Sequence, residues 1–351
     1  MSDINFLHQH DDIDGILPPS QNNIIIGHES VLLFLMQMRK EGRLHHALLF
    51  EGEYGIGKAT VAFHFAWNIL NNQESKFLQP KRDSIVWRQI AQGCHPGFLY
   101  VSRRFDSNTK KFKTSISIDD IRDVTHFLTQ TSQDGGWRVV IIDSADDMNR
   151  NAANAILKTL EEPPAKTLFI VITHSLGRLH PTIRSRCQKV SLRRLRDDEM
   201  KQVILRVFPN QSSLDEKTVE IVTQKSHGKP RKAALLICSN GIKIVKTIDN
   251  LLKKTIYDPT VAHDLAQTLS LSNTDSQFRQ LCDEILDEIH KRAVMLARGG
   301  AFTLSQKCAQ TWRDIYQETV EMQLFNLDKK QFVTTMLLKA HKVVQECKLF
   351  P

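Results

Sequence analysis

The 351-residue sequence contains no run of the roughly 18 apolar residues that a membrane-spanning helix requires. Its opening stretch, Met1–Gln21, is acidic and polar, without the basic and then apolar layout of a secretory leader. Export and membrane insertion are therefore not expected, and a cytoplasmic location is. Six cysteines (Cys94, Cys187, Cys238, Cys282, Cys308, Cys347) stand far apart with no CxxC pair. That spacing excludes a dense disulfide framework and a zinc ribbon, and predicts reduced, mostly buried thiols. No internal repeat, no low-complexity tract and no aromatic ladder for stacking single-stranded nucleic acid is visible. What is present is the mix of a folded protein, 41% hydrophobic and 25% charged. The 47 Lys and Arg against 39 Asp and Glu leave +8, which suits nucleic acid but is thinly spread.

Glycine divides the chain. Only Gly228, Gly241, Gly299 and Gly300 of its 15 glycines follow Leu195. The glycine-rich part alternates short apolar runs with helical patterns. The runs are His46–Phe50, Phe98–Val101, Val139–Ile142, Leu168–Thr173 and Gln188–Leu192. Continuous runs such as Val139-Val140-Ile141-Ile142 predict strands buried on both faces, as in a parallel sheet between helices. Ala62, Phe65, Ala66 and Ile69 recur at helical spacing. Beyond Leu195 the pattern is helical. Asp197-Asp198-Glu199 opens one helix, Ser213–Lys225 forms a second, and Pro230 stands just inside a third. From about Ile242 helices continue to the end, broken at Asp258-Pro259, Ser272-Asn273, Gly299-Gly300 and Asn326-Leu327-Asp328. Three units are expected: an α/β domain over 1–194, three helices over 195–241, and an all-helical domain over 242–351.

The run Gly52-Glu53-Tyr54-Gly55-Ile56-Gly57-Lys58-Ala59-Thr60 fits a phosphate-binding loop between strand and helix. Gly52, Gly55 and Gly57 let backbone N–H groups curl around phosphate oxygens, and Lys58 neutralises the outer phosphates. The hydroxyl that should follow the lysine and hold magnesium is replaced by the methyl of Ala59, and Thr60 is one residue too late. The second half of such a site needs an aspartate and then a water-activating glutamate after a buried strand. Here Asp143 keeps the first role available, whereas Ser144 has no useful basicity at neutral pH. Both losses predict a loop that no longer turns over ATP.

Several runs together resemble bacterial clamp-loader subunits of the AAA+ superfamily. They are Leu44–Phe50 leading into Gly55–Ala59, then Asp146-Asp147-Met148-Asn149, Asn154–Pro164, and Pro181-Thr182-Ile183-Arg184-Ser185-Arg186-Cys187. With the damaged loop they are most similar to the delta-prime family of DNA polymerase III. The resemblance is dense from about Ile24 to Leu192, returns at Gly228-Lys229-Pro230-Arg231, and rests only on helicity after Ile242. It implies an α/β AAA+ domain with a parallel sheet and a degenerate P-loop, a three-helix lid and an all-α collar that joins subunits. It also implies an accessory subunit of the DNA-directed DNA polymerase holoenzyme without ATPase activity of its own. The implied partners are gamma/tau ATPase and delta subunits, the sliding clamp indirectly, and primed DNA through its phosphates. By this resemblance Arg186 is an arginine finger given in trans to a neighbour's ATP, with Ser185 and Cys187 shaping the turn. Arg231 matches a nucleotide-sensing arginine and Thr173 a first sensor.

Each role has an alternative in the residues themselves: Arg186 capping the preceding short helix or pairing with a nearby carboxylate, Arg231 in a surface or interdomain salt bridge, Thr173 satisfying local backbone. Four zinc-binding cysteines found in many relatives are missing from Trp67–Gly93, and Cys94 beside His95 cannot complete a tetrahedral shell, so no metal and no zinc are expected. Weak ATP or ADP binding at the surviving loop stays open. Positive charge clusters at Arg103-Arg104 and at Lys110, Lys111 and Lys113; the resemblance implies that Arg122 or these lysines meet DNA phosphates, and a flexible, solvated hairpin is the alternative for the lysines. An active gamma/tau-type ATPase and a stand-alone P-loop protein are the rival readings.

Overall fold

Val139, Val140, Ile141 and Ile142 are all shut off from solvent, as a strand between two helical layers must be. A computed structural model of the chain describes residues 9–71, 77–129, 135–177, 179–208, 214–238, 241–270, 275–325 and 327–348. It divides into two compact units, Met1–Ala234 and Leu235–Pro351.

In the first unit, strands β1 (Ala47–Glu51), β2 (Phe98–Val101), β5 (Arg138–Ile142), β6 (Thr167–Thr173) and β7 (Gln188–Ser191) form one sheet in the order β2-β5-β6-β1-β7. Every neighbouring pair in it is parallel. A two-stranded antiparallel hairpin, β3 (Phe105–Asp106) with β4 (Lys111–Phe112), stands apart. Parallel neighbours require crossovers, and helices provide them. These are α2 (Lys58–Leu70) and α3 (Ile85–Ala91) after β1, α4 (Ile118–Thr129) before β5, α5 (Arg150–Glu161) before β6 and the short α6 (Pro181–Arg184) before β7. Strand side chains alternate between two cores. Leu48, Phe50, Val139 and Ile141 join α2, α3 and the preceding α1 (Glu29–Lys40). Ala47, Leu49, Val140 and Ile142 join α4, α5 and α6.

The observed strands differ from the expected ones by a residue or so at their ends, where pairing rather than hydropathy sets the limit. Helix α2 departs further: besides the expected apolar face, Val61, Phe63, His64, Trp67 and Asn68 are also buried. Two of these polar groups have partners, since Asn68 Nδ2 donates to His64 O and Leu78 O, and His64 Nε2 lies 2.9 Å from Asn22 O. Helices α7 (Asp197–Val207), α8 (Glu216–Ser226) and α9 (Pro230–Cys238) follow the sheet. Glu199 in the first turn of α7 accepts from Arg196 N–H and pairs with Arg193, and these hold its carboxyl at about 2.

The second unit holds α10 (Gly241–Lys253), α11 (Pro259–Leu269), α12 (Asp275–Arg298), α13 (Phe302–Phe325) and α14 (Lys329–Lys348). Asp258 caps α11 ahead of Pro259, and Gly299-Gly300 separates α12 from α13, as expected. Residues 272, 273 and 326 of the other expected breaks lie outside the described residues. The cysteine expectation needs correction. Cys282, Cys308 and Cys347 are buried and all six are free, but Cys94 and Cys238 are exposed and Cys187 is only half-covered. Sequence spacing carries no information on which side of a loop or helix end a thiol occupies. No described helix is long and apolar enough to cross a membrane.

Candidate functional site

The carboxyl ends of β1, β5 and β6 lie side by side, and the residues after them meet at one edge of the sheet, the usual place for a ligand in an open parallel sheet. The loop after β1 turns into α2 through Gly57, whose φ of 101° is left-handed and favours glycine. Gly55 is fixed by proximity: a β-carbon there would stand 2.8 Å from Arg231 Cβ. Lys58 is buried and folds back on its own loop, donating from Nζ to Gly52 O at 2.7 Å and Glu53 O at 2.6 Å. Burial pulls its pKa down to about 8, against the attraction of Asp143 and Asp146. Ala59 packs its methyl against the core beneath, so the position that should carry a magnesium hydroxyl is part of the apolar layer.

Asp143 follows β5 and accepts a hydrogen bond from Tyr100 Oη at 3.1 Å. Burial, and then the neighbouring Asp11, push its carboxyl up from 3.8 to about 7. Ser144 is buried, and its Oγ has no hydrogen-bond partner among the described residues. Thr173 closes β6 with its Oγ1 donating to Asp146 Oδ1 at 2.7 Å and accepting from Ser175 N–H. Thr173 thus meets one carboxylate and one nearby backbone N–H at the end of its strand.

The raised pKa of Asp143 has a measurable consequence. The folded chain holds this proton more tightly than the unfolded chain, so ionising Asp143 costs stability as pH climbs from about 4 to about 7. Asp143→Asn, which can still accept from Tyr100, is expected to match the native chain near pH 4 and to melt at a higher temperature above pH 7. A melting difference that stays constant across that range would contradict the assignment.

Arg231, at the start of α9, donates its backbone N–H to Gly55 O and lays its guanidinium 5.2 Å from the Tyr54 ring centre. Its ionic partner is Asp11, at 3.2 Å. Tyr54 Oη donates to the same carboxylate at 2.6 Å. Burial opposes ionisation of Asp11, but Arg231 and the Tyr54 hydroxyl hold its carboxyl below the usual range. Beside them Glu53 is gripped by Arg194 at 2.5 Å and Lys229 at 2.8 Å, which hold it at about 2. Sequence reasoning missed Asp11, Tyr100 and the Glu53 clamp. No spacing signal could have found them, because their partners lie 43 to 220 positions away.

The Ser-Arg-Cys turn sits elsewhere. Ser185 Oγ donates to Thr182 O at 3.0 Å. Arg186 donates from Nε to Glu161 Oε1 at 2.7 Å and from Nη1 to Thr182 O at 2.9 Å, while Nη2 pairs with Glu161 as well. Cys187 packs on the core under α5, and burial pushes its thiol up to about 12, which disfavours the thiolate. Register fixes where this turn lies: Gln188 is level with Leu48 in the parallel β1–β7 pair, and Ser191 with Glu51. Arg186 therefore precedes the amino end of β7, while the phosphate loop follows the carboxyl end of β1. At about 3.3 Å per residue the two are on the order of 20 Å apart, beyond the reach of one side chain.

The basic residues separate into two kinds. Arg103 forks onto Asp147 at 2.6–2.7 Å, Arg104 pairs with Asp120 and Asp123, and Arg122 pairs with Asp119 at 2.7 Å. Lys110, Lys111 and Lys113 are exposed on and beside the hairpin. Cys94 faces Gln92, and His95 Nδ1 accepts from Gly97 N–H.

The family model described as DNA polymerase III, delta subunit, matches residues 27–196. DNA polymerase III subunit delta' of Pseudomonas aeruginosa is 31% identical over 242 residues, 68% of this chain and 70% of that protein. The chain belongs to the delta-prime family of DNA polymerase III clamp-loader subunits. The DNA polymerase III subunit gamma of Buchnera aphidicola subsp. Acyrthosiphon pisum is 25% identical, across 90% of this chain and 86% of that protein. A gamma subunit-related protein of Thermotoga maritima is similar in structure, at 16% identity and a TM-score of 0.48, covering 91% of this chain and 100% of that chain. For a delta-prime family member the matched span is informative. It holds the phosphate loop, Asp143, Thr173 and Arg186, and it leaves out Asp11 and Arg231, which meet over Tyr54.

Proposed function

We propose that this chain is the non-hydrolysing member of a DNA polymerase III clamp loader, lending Arg186 in trans to the ATP of an adjacent gamma/tau-type subunit. The observation that carries this reading is the register of β7 on β1, with Arg186 at the amino edge of the sheet and the chain's own phosphate loop at the carboxyl edge. An arginine so placed cannot serve its own loop, and that loop carries Ala59 and Ser144 where a magnesium hydroxyl and a general base are needed. Lys58 and Arg231, the cations that would meet phosphate, are engaged by loop carbonyls and by Asp11. Nucleotide binding is accordingly weak and independent of magnesium. Residues 195–241 act as the lid and 242–351 as the collar toward delta and gamma/tau subunits. The sliding clamp is met indirectly, in the cytoplasm, and Lys110, Lys111 and Lys113 are the cations left for DNA phosphates.

The similarity to gamma subunits along most of the chain favours a second reading, a slow ATPase, and one assay separates the two. The purified chain is expected to hydrolyse ATP no faster than buffer, with Lys58→Ala changing nothing. Magnesium-dependent turnover that Lys58→Ala abolishes would select the second reading.

A further inference from the structure

Glu161 is the last residue of α5, where a carboxylate faces the partial negative charge of the final helix carbonyls. A charge in that place needs a cation, and the cation is Arg186. Three of the guanidinium's donors are engaged inside the chain: Nε and Nη2 converge on Glu161 Oε1, and Nη1 donates to Thr182 O. A phosphate offered by a neighbouring subunit needs that same planar fork. Carboxylate and phosphate therefore compete for one set of donors.

We propose that Glu161 is a positioning residue that latches Arg186 while the chain has no partner and releases it to an incoming phosphate. The inference rests on the reading of Arg186 as a finger given in trans. The strength of the latch suits release. Side chains of Arg186 and Glu161 are 33% and 48% exposed, so solvent screens the pair and it holds the finger by about two- to fivefold. A doubly charged phosphate at the same distance outcompetes it, whereas a buried pair would not let go. Arg184, exposed two residues earlier, provides an internal comparison.

Two measurements test the latch. In the full chain alone, phenylglyoxal modification read by mass spectrometry is expected to speed up at Arg186 about two- to fivefold in Glu161→Gln, with Arg184 unchanged. An unchanged Arg186 rate overturns the latch. In a complex reconstituted with gamma/tau and delta subunits, Glu161→Gln is expected to raise ATP turnover without DNA or clamp by a similar factor. Glu161→Asp keeps the native rate, and adding Arg186→Ala removes the gain. A fall in turnover with Glu161→Gln makes the glutamate a support and overturns the proposal. Native turnover in Arg186→Ala overturns the donation itself. Depressed turnover in Arg186→Ala with no rise in Glu161→Gln overturns the latch alone.

Discussion

Arg186→Ala in a reconstituted clamp loader is expected to leave assembly intact and to slow ATP hydrolysis at the adjacent site by about 10³-fold or more. The physical basis is charge that develops on the transferred phosphoryl group. A planar guanidinium stabilises it where a methyl group cannot, and magnesium alone does not replace the lost donors. Assembly survives because Arg186 is partly exposed on a turn, so its removal opens no cavity. The pair it leaves is screened, and loss of such a pair costs about 0–1 kcal/mol of stability. Arg186→Lys is expected to recover little, since a point charge lacks the fork. Single-turnover hydrolysis with the adjacent ATPase as the only active site is the measurement. Native rates with alanine would remove Arg186 from the reaction.

Phe50→Ala is the second large effect. Phe50 is wholly buried in the core shared by β1, α1 and α2, one residue before Glu51 and the phosphate loop. Deleting a buried aromatic ring costs about 3–5 kcal/mol, through lost transfer energy and the cavity left behind. In a unit of this size that lowers the melting temperature by roughly 6–20 °C. Calorimetry of the full chain is the measurement, and the transition of the sheet-containing unit is expected to shift. A shift below about 2 °C would mean that Phe50 is not in a closed core. The same strand carries site and core, so loosening it should also disturb the hold of the loop carbonyls on Lys58.

The sequence alone determined the sheet, the loop and the turn. Val139–Ile142 is apolar at every position and β-branched throughout, which fits a strand in the interior between two layers. Gly57 is legible as a loop glycine because a left-handed residue must precede α2, and Ala59 and Ser144 declare their lost chemistry by residue type. These features depend on neighbours in the chain or on the nature of one side chain. Tertiary structure alone decided which groups hold which charges. Asp11 on Arg231, Tyr100 on Asp143 and Glu161 on Arg186 join residues 220, 43 and 25 positions apart. Hydropathy patterns say that an arginine lies at a surface, but not which carboxylate meets it. Only the parallel register of β7 on β1 showed that Arg186 and its own phosphate loop occupy opposite edges of the sheet. Leu48 and Gln188 come level only because the intervening chain packs on the sheet, and residues that far apart in sequence share no local pattern.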